Sequence, residues 1–368
     1  MIYQYPAGFS FILQYNVYEG GDKMPDLNLA LIGFGNVGQE FCRILIERGR
    51  ELPELYGFKC KVVAVNTRSK GSLLNKAGVD LNRALTNIKD TGRFLPDNPD
   101  FNTVTTAEII TRKDVDLIVE ITTLNIENGQ PAADHIAGAL KNGKHVITAN
   151  KGPIAFYYHD LKQLAEKEKR YFLFEGTVMD CAPVFNLVRE TLPGCRITGF
   201  RGILNSTTNY ILTEMAGGIN FSTALQKAQE LGIAEADPSL DIEGWDAAAK
   251  VAALINVLLD AKITPPEIDR TGIGQITGRD LEQARADKRV IRLLCEGYRE
   301  GGTLHGKVAP AAIPFTDPLA HIEGTASALT LNTDLAGKIT IGIDDPQIRQ
   351  TAYALLSDLL TIAKKLNC

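Results

Sequence analysis

The stretch LNLALIGFGNVG, from Leu27 to Gly38, decides the fold of this 368-residue chain. A short apolar strand runs directly into a glycine-rich turn, and an amphipathic helix follows. The letters GFGNVG fit the pattern G-x-G-x-x-G in the strand–turn–helix context that gives this pattern its meaning. Gly33 permits the tight turn, Gly35 lets the backbone approach a pyrophosphate, and Gly38 allows the helix to pack closely on the strand.

The amides at the start of this helix are predicted to face the phosphates of a dinucleotide, because the helix dipole favours negative charge there. The alternative is a tight strand–helix turn without a ligand. The predicted cofactor contacts in the turn are Gly33, Phe34, Gly35, Asn36, Val37 and Gly38.

The end of the second predicted strand, Lys61–Asn66, favours NADP over NAD. An NAD site usually ends this strand with an acid that binds the ribose hydroxyls. Here Arg68 and Lys70 follow the strand, and no acid stands beside them. The Arg68 guanidinium suits a 2′-phosphate, which it can bind through two hydrogen bonds. The alternatives are an NAD site, and a loop in which both cations are simply solvated.

Strands and helices alternate through the first part of the chain. Further strands are predicted at Val115–Glu120 and His145–Ala149, and helices at Pro131–Asn142 and Asp160–Lys169. Each of these strands contains a continuous apolar run, as in a parallel sheet that is covered on both faces. We therefore predict an α/β fold in which residues 24–175 form a Rossmann-type, doubly wound parallel sheet.

The pattern changes after residue 175. Helices are predicted at 182–192, 208–215, 221–231 and 245–259, and β segments at 290–298, 303–309, 326–332 and 338–343. Hairpin-like connections indicate a second, α+β domain with a mostly antiparallel sheet over residues 176–344. The last helix, within residues 345–368, is predicted to pack back on the first domain. Residues 1–23, rich in Tyr, Phe and Gln, are interpreted as an N-terminal extension.

Composition narrows the class of protein. Apolar residues make up 45% and charged residues 23% of the chain, as in an ordinary soluble enzyme. The net charge of −5 argues against nucleic acid and anionic membranes as partners. No apolar run approaches the ~20 residues of a membrane span. The six cysteines contain no CxxC pair, which indicates free thiols in a reducing cytoplasm.

One lysine follows a predicted strand in the segment ITANKGPIA, Ile147–Ala155. Lys151 comes just after the carboxyl end of that strand, which is the edge where open α/β sheets bind ligands. A cation there can meet a substrate carboxylate, a cofactor or a developing alkoxide. Gly152 and Pro153 are predicted to form a defined turn. The alternative is an ordinary surface lysine.

The stretch GIAEADPSLDIEGWDAAAK, Gly232–Lys250, places acids before an apolar helix. Asp246 and Lys250 are four residues apart and share one face of that helix. An exposed pair of this kind contributes only ~0.3–0.5 kcal/mol. Because the helix is otherwise apolar, we expect partial desolvation, so that Asp246 steadies Lys250 and Lys250 exchanges a proton with a reacting oxygen. The spacing of the acids does not fit a calcium loop.

These segments resemble the homoserine dehydrogenase family in order and spacing. The resemblance rests on GFGNVG, TANKG, ILNSTTNYIL at Ile203–Leu212, and AEADPSLDIEGWDAAAK, and it extends from about Met24 to the C-terminus, in a form without a C-terminal regulatory domain. It implies NAD(P)-dependent interconversion of L-homoserine, a small amino-acid substrate, and L-aspartate 4-semialdehyde. It also implies a homodimer formed through the second domain.

The resemblance further implies roles for individual residues. Lys250 corresponds to the catalytic lysine, Asp246 to the aspartate beside it, and Lys151 to a second lysine between cofactor and substrate. The implied substrate contacts are Glu235 at the ammonium group, Asp241, Asp246, Ser206 and Thr207. Thr122 and Gly232 are implied near the nicotinamide, together with Lys151.

The family also has a site for a monovalent cation such as sodium. The corresponding positions here are Glu175, Val178, Asp180 and Ala182. Two segments depart from the family pattern. MDCAP at 179–183 replaces a glycine-rich run before the proline, and IGIDDP at 341–346 replaces a glycine-rich loop. The two acids in the second segment would disfavour a phosphate nearby.

Two other functions stay open from the sequence. One is an aspartate semialdehyde dehydrogenase-type reductase, which would use the Cys181 thiolate as a nucleophile. The usual role of such a cysteine is that of a small buried hydrophobic residue. The other is a cofactor-binding protein that has lost turnover, which the two altered segments suggest.

Overall fold

The computed structural model of this protein describes residues 26–366, so the predicted extension at 1–23 lies outside the described residues. The first sheet consists of β1 (Asp26–Ile32), β2 (Lys59–Thr67), β3 (Gly71–Leu74), β4 (Phe101–Asn102), β5 (Leu117–Glu120), β6 (His145–Thr148) and β7 (Phe172–Leu173). Its helices are α1 (Asn36–Arg48), α2 (Glu51–Tyr56), α3 (Leu81–Thr91), α4 (Thr106–Thr111), α5 (Ala132–Lys141) and α6 (Lys151–Lys167).

The strand order is β4-β3-β2-β1-β5-β6-β7. The strands from β2 to β7 in this order are parallel, which confirms the predicted Rossmann-type sheet. The strands β3 and β4 are antiparallel and were not predicted. They arise because the chain turns straight back after β2, pairing Thr67 with Gly71, and so extends the sheet at one edge.

Alternate residues of β1 serve two different hydrophobic cores. Leu29 and Leu31 pack with α1 and with the last helix of the structure, α13 (Ile348–Leu366). Ala30 and Ile32 point to the other face and join the core that contains α5. The carboxyl edge of the sheet therefore lies between two helical layers.

The second sheet is mostly antiparallel, as predicted. Its strands are β8 (Ile197–Ile203), β9 (Asp269–Arg270), β10 (Arg289–Glu300), β11 (Thr303–Pro314), β12 (Ser327–Thr333) and β13 (Lys338–Ile343), in the order β13-β12-β8-β10-β11-β9. Among these pairs, β9 with β11 is parallel. The helices are α7 (Val184–Asn186), α8 (Ser206–Ala216), α9 (Phe221–Glu230), α10 (Ser239–Ile242), α11 (Trp245–Leu258) and α12 (Gly278–Ala286).

Helix α11 connects the two halves of the molecule. On one side it packs against β10 and β11, where the glycines Gly297 and Gly306 leave room for Ile255. On the other side the buried amide of Asn256 donates hydrogen bonds to the carbonyls of Ile154 and Ala155 in α6, both at 3.2 Å. The last turn of α11 is thereby held against the start of α6.

The prediction of a turn at Gly152–Pro153 was wrong, because α6 already begins at Lys151. The Asn150 side chain caps this helix by accepting a hydrogen bond from the Gly152 amide at 3.1 Å. Proline is tolerated in the first turn, where its missing N–H has no partner within the helix. Lys151 is consequently fixed in the first turn of a helix. Within residues 26–366, the helices are too short or too polar to cross a bilayer.

Candidate active site

Three side chains form a charged cluster where α6 and α11 begin. The Asp246 carboxylate lies between two lysines, with Oδ1 at 2.8 Å from Lys151 Nζ and Oδ2 at 3.3 Å from Lys250 Nζ. Lys250 Nζ also donates to the carbonyl of Leu204 at 2.6 Å. The Asp246 side chain is only 17% exposed, so these charges are shielded from water. The i,i+4 pair predicted from the sequence is present, and Lys151 joins it from the other half of the chain.

Asn205 is a member of this cluster that the sequence analysis missed. Its Nδ2 donates to Asp241 at 2.7 Å and to Asp246 at 3.1 Å. Its Oδ1 accepts the Thr208 amide at 2.9 Å and so caps α8. The sequence signal was the run Asn-Ser-Thr-Thr, which is typical of a helix start but does not reveal the contact with two aspartates.

The ionised carboxylate of Asp246 and the ammonium of Lys250 stabilise each other. Burial raises the pKa of the Asp246 carboxyl, but the ammonium groups of Lys151 and Lys250 outweigh burial and hold that pKa well below its usual value. Burial lowers the pKa of Lys250, but neighbouring carboxylates, chiefly Asp246, more than compensate and raise it. Asp180 and Asp241 add to this effect. Lys250 is therefore a cation at neutral pH.

Asp241 forms a second, less stabilised carboxyl beside the cluster. Burial and the charge of Asp246 raise the pKa of Asp241, while hydrogen bonds from Asn205 and Thr207 partly offset the rise. Thr207 also donates to the carbonyl of Ile233 at 3.1 Å, which ties the segment after α9 to the start of α8.

The remaining residues predicted near the substrate and the nicotinamide make fewer side-chain contacts. Ser206 is half-buried at the first position of α8. Glu235 is exposed, and its backbone carbonyl accepts from the Gln229 side chain at 3.2 Å. Gly232 is exposed at the end of α9, with a left-handed φ of 72°.

The glycine turn lies at the carboxyl edge of the first sheet. Gly33 has a φ of +108°, and a Cβ there would lie 2.3 Å from the carbonyl oxygen of Ile121. A Cβ on Gly38 would lie 2.7 Å from the side chain of Ile121. A Cβ on Gly35, in contrast, would meet no protein atom within 4 Å. The backbone contact requires glycine at position 33, and Gly38 packs closely on the Ile121 side chain. Gly35 leaves open space in front of α1, as a dinucleotide pyrophosphate needs.

The remaining residues of the turn and its neighbouring loop differ in exposure. Phe34 is buried against Phe94, Asn36 is exposed at the first position of α1, and Val37 is half-buried. Lys70 Nζ donates to the carbonyl of Phe34 at 2.9 Å, so it lies directly against the glycine turn. Arg68 is exposed at the end of β2.

Thr122 follows β5 and connects the glycine turn with α6. Its hydroxyl donates to Glu120 Oε1 at 2.5 Å, and its carbonyl accepts from Asn150 Nδ2 at 3.2 Å. Gly33 packs on Ile121, the residue before Thr122. Direct contacts therefore connect the glycine turn, Thr122 and the start of α6 at Lys151.

The four residues of the predicted cation site differ in their surroundings. Glu175 is buried and accepts the amides of Phe185 and Asn186 at 2.9 and 2.7 Å, while Val178 and Ala182 are buried. Burial raises the pKa of Glu175. Asp180 has a φ of +51° and accepts the Thr351 hydroxyl at 2.6 Å.

Cys181 is half-buried in the same segment. Burial, and then the charge of Asp180, raise the pKa of the Cys181 thiol. The thiolate needed by a nucleophilic cysteine is therefore disfavoured at this position.

The doubly wound sheet, the open glycine turn and the charged cluster define a Rossmann-type, dinucleotide-dependent oxidoreductase. A family model described as the NAD binding domain of homoserine dehydrogenase matches residues 33–175, and one described as homoserine dehydrogenase matches residues 183–360. The chain belongs to the homoserine dehydrogenase family, whose members are oxidoreductases that act on a CH–OH group with NAD(P).

The chain aligns with individual relatives over nearly their whole length. The chain is 38% identical to an NAD(+)-dependent homoserine dehydrogenase from Pseudomonas canavaninivorans, covering 92% of this chain and 97% of that protein. It is 38% identical to a homoserine dehydrogenase from Methanocaldococcus jannaschii, with 91% and 98% covered. A solved structure from Archaeoglobus fulgidus, provisionally described as a homoserine dehydrogenase, superposes with a TM-score of 0.82 at 36% identity, with 92% and 99% covered.

Proposed function

We propose that this protein interconverts L-homoserine and L-aspartate 4-semialdehyde with a nicotinamide dinucleotide. The observation that carries the proposal is the Asp246 carboxylate bridging Lys151 and Lys250 at 2.8 and 3.3 Å. Two ammonium groups held by one half-buried acid provide a proton donor and a positive charge at one place, as reduction of an aldehyde to an alkoxide requires.

Lys250 is the residue proposed to move the proton. In the reducing direction its ammonium gives a proton to the developing alkoxide, and in the oxidising direction the neutral amine removes the hydroxyl proton. Asp246 holds Lys250 in place, and Lys151 adds positive charge beside the reacting oxygen. The bound nicotinamide supplies or accepts the hydride at the substrate's terminal carbon.

The acids around the cluster are proposed to bind the amino-acid end of the substrate. Asp241 is fixed by Asn205 beside the cluster, and its carboxylate suits the substrate ammonium. Glu235 is exposed and free to turn toward the same group. Ser206 and Thr207 supply backbone and hydroxyl groups at the start of α8.

For the cofactor we propose NADP as the preferred form. Arg68 is exposed directly after β2 and Lys70 lies against the glycine turn, which suits a 2′-phosphate. Asn66, at the place where an NAD site carries an acid, donates to Ser72 and to the carbonyl of Val104, both at 2.8 Å, and is occupied in the fold. The Pseudomonas relative is named as NAD(+)-dependent, so both cofactors belong in the assay.

Two further features of the family are proposed here as well. A monovalent cation such as sodium would be held by backbone carbonyls of Val178, Asp180 and Ala182 with Glu175 beside them. A homodimer would form through the second domain. Activity with and without sodium tests the first proposal, and sedimentation of the protein in solution tests the second.

The direct test is a spectrophotometric assay of L-homoserine oxidation with NAD and with NADP at alkaline pH. The proposal predicts reduced nicotinamide in proportion to homoserine, and none with D-homoserine. Tight binding of the reduced cofactor without homoserine oxidation would instead support a protein without turnover. Loss of activity on selective alkylation of Cys181 would favour the thiol mechanism.

A further inference from the structure

Glu120 is a fully buried carboxyl group at the carboxyl end of β5, next to the proposed reaction site. Its Oε1 accepts two hydrogen bonds from Thr122, at 2.5 Å from the hydroxyl and 3.3 Å from the amide. The same oxygen lies 3.5 Å from Nδ1 of His135 in α5. A buried carboxyl costs several kcal/mol unless it is well partnered, so its retention at this place needs a reason.

The backbone of Glu120 belongs to the same network. Its carbonyl accepts from the Thr148 hydroxyl at 2.7 Å, at the end of the neighbouring strand β6. The Thr148 oxygen in turn accepts the Asn150 amide at 2.9 Å. The ends of β5 and β6 are therefore joined by side chains after their ladder of backbone hydrogen bonds has ended.

This network closes on Lys151. The Thr122 carbonyl accepts from Asn150 Nδ2 at 3.2 Å, and Asn150 Oδ1 accepts the Gly152 amide at 3.1 Å as the cap of α6. Lys151 stands between these two residues of the cap and reaches Asp246 at 2.8 Å. A displacement of Thr122 would move the cap and with it the lysine.

Glu120 also lies close to the place where the fold binds a dinucleotide. In a doubly wound sheet the dinucleotide lies across the point where the strand order reverses, which here is the boundary of β1 and β5. The pyrophosphate end faces the glycine turn on β1, so the nicotinamide end faces the segment after β5. Thr122 is in that segment, and Glu120 fixes both its hydroxyl and its amide.

We propose that Glu120 is a positioning residue: by holding Thr122 it shapes the nicotinamide end of the cofactor site and, through Asn150, sets the place of Lys151. The part of this inference that concerns Lys151 rests on the proposed function. The expected effect of Glu120 on cofactor binding does not.

The test compares Glu120→Leu, Glu120→Gln and Thr122→Val with a matched control, Asp116→Asn. Asp116 precedes the same strand at the opposite edge of the sheet, where it accepts the Asn28 amide at 2.8 Å. It therefore has a structural carboxylate far from the reaction site. Glu120→Gln keeps an acceptor for Thr122, whereas Glu120→Leu removes it. Thr122→Val breaks the same hydrogen bond from the other side with a smaller change.

We expect Glu120→Leu and Thr122→Val to weaken binding of reduced cofactor, measured by its fluorescence, at least ~10-fold. We also expect kcat for homoserine to fall in both, with their effects non-additive in the double variant. Glu120→Gln should recover most of both losses, and Asp116→Asn should lower the melting temperature without changing either quantity.

The inference would be overturned if folded Glu120→Leu and Thr122→Val bound the cofactor like the wild type, or if Asp116→Asn matched them. If the wild type did not oxidise homoserine, the proposed function would fail, but the binding comparison would still decide the role of Glu120.

Discussion

Lys151 and Asp246 form a 2.8 Å ion pair between α6 of the first half of the molecule and α11 of the second. The pair joins the carboxyl edge of the Rossmann-type sheet to the acidic segment that precedes α11. At the other end of α11, Asn256 donates to two carbonyls near the start of α6 and so packs the two helices together. In the proposed reaction, a substrate held by the second half would thus meet a cation supplied by the first.

Replacing the bridging acid should disable both lysines. In Asp246→Asn the two ammonium groups lose their shared negative charge while the side chain keeps its shape. We expect kcat/KM for homoserine to fall at least ~100-fold and the free energy of unfolding to fall by about 2 kcal/mol or more. Enzyme assays and urea denaturation measure these changes.

The matched control for this change is Asp237→Asn. Asp237 is exposed and accepts the Ser239 amide at 3.1 Å, so the variant removes the same charge outside the cluster. It should leave both quantities nearly unchanged. Equal losses in the two variants would show that the Asp246 bridge has no special role.

Two glycines of the turn should respond to alanine in opposite ways. Gly33→Ala should destabilise the protein by about 2 kcal/mol or more, because the new Cβ would lie 2.3 Å from the Ile121 carbonyl oxygen at a φ of +108°. Gly35→Ala should leave the melting temperature unchanged, since no protein atom lies within 4 Å, but should weaken cofactor binding at least ~10-fold. Calorimetry and cofactor titration separate the two effects. Unchanged affinity in Gly35→Ala would mean that no pyrophosphate lies there.

Arg68 should distinguish the two cofactors. We expect Arg68→Ala to raise KM for NADP at least ~10-fold and to change KM for NAD little, because a charge-assisted hydrogen bond contributes about 1.5–3 kcal/mol. Arg279→Ala, an exposed arginine of α12, serves as the control. A lower KM for NAD than for NADP in the wild type would contradict the NADP proposal.

His145 should make stability depend on pH below neutrality. It is buried at the start of β6, and its Nδ1 accepts the Tyr171 amide at 3.0 Å. Burial, and then the charge of Arg170, lower its pKa from 6.5 to about 4. The unfolded chain then binds a proton more readily than the folded one, so stability is complete above pH ~6.5 and is lost as the pH falls toward 4.

We expect the part of this loss that is due to His145 to be about 2 kcal/mol. His145→Asn keeps an acceptor for Tyr171 but does not titrate, so its free energy of unfolding should fall less steeply between pH 6.5 and 4. Urea denaturation across this range measures the difference. Identical pH profiles for the two proteins would show that His145 is not held neutral by the fold.

Much of the fold could be predicted because short stretches of sequence encode most of its helices and strands. The apolar strand and glycine turn of Leu27–Gly38 predict a parallel sheet, and Lys338–Ile343 was predicted with its observed bounds. In contrast, β8 (Ile197–Ile203) was missed. It contains two glycines, Gly199 and Gly202, which lower strand propensity, and here they are required because neighbouring strands leave no space for a Cβ.

The site was predictable only in part for a similar reason. The spacing of Asp246 and Lys250 on one helix predicts their contact, because i and i+4 lie on one face. The ion pair with Lys151 depends on how two distant helices pack, and no local pattern encodes that packing. The same holds for Asn205, whose local signal predicts a helix cap and not its bonds to Asp241 and Asp246.

Lys250 is the group proposed to move the proton, and the proposed reaction fails without it. The decisive measurement is the rate of L-homoserine oxidation by Lys250→Met together with its affinity for the reduced cofactor. Methionine keeps much of the apolar stem and removes the ammonium, so we predict a kcat at least ~100-fold lower with cofactor affinity nearly unchanged. A kcat close to that of the wild type, in a folded variant that binds cofactor normally, would contradict the account.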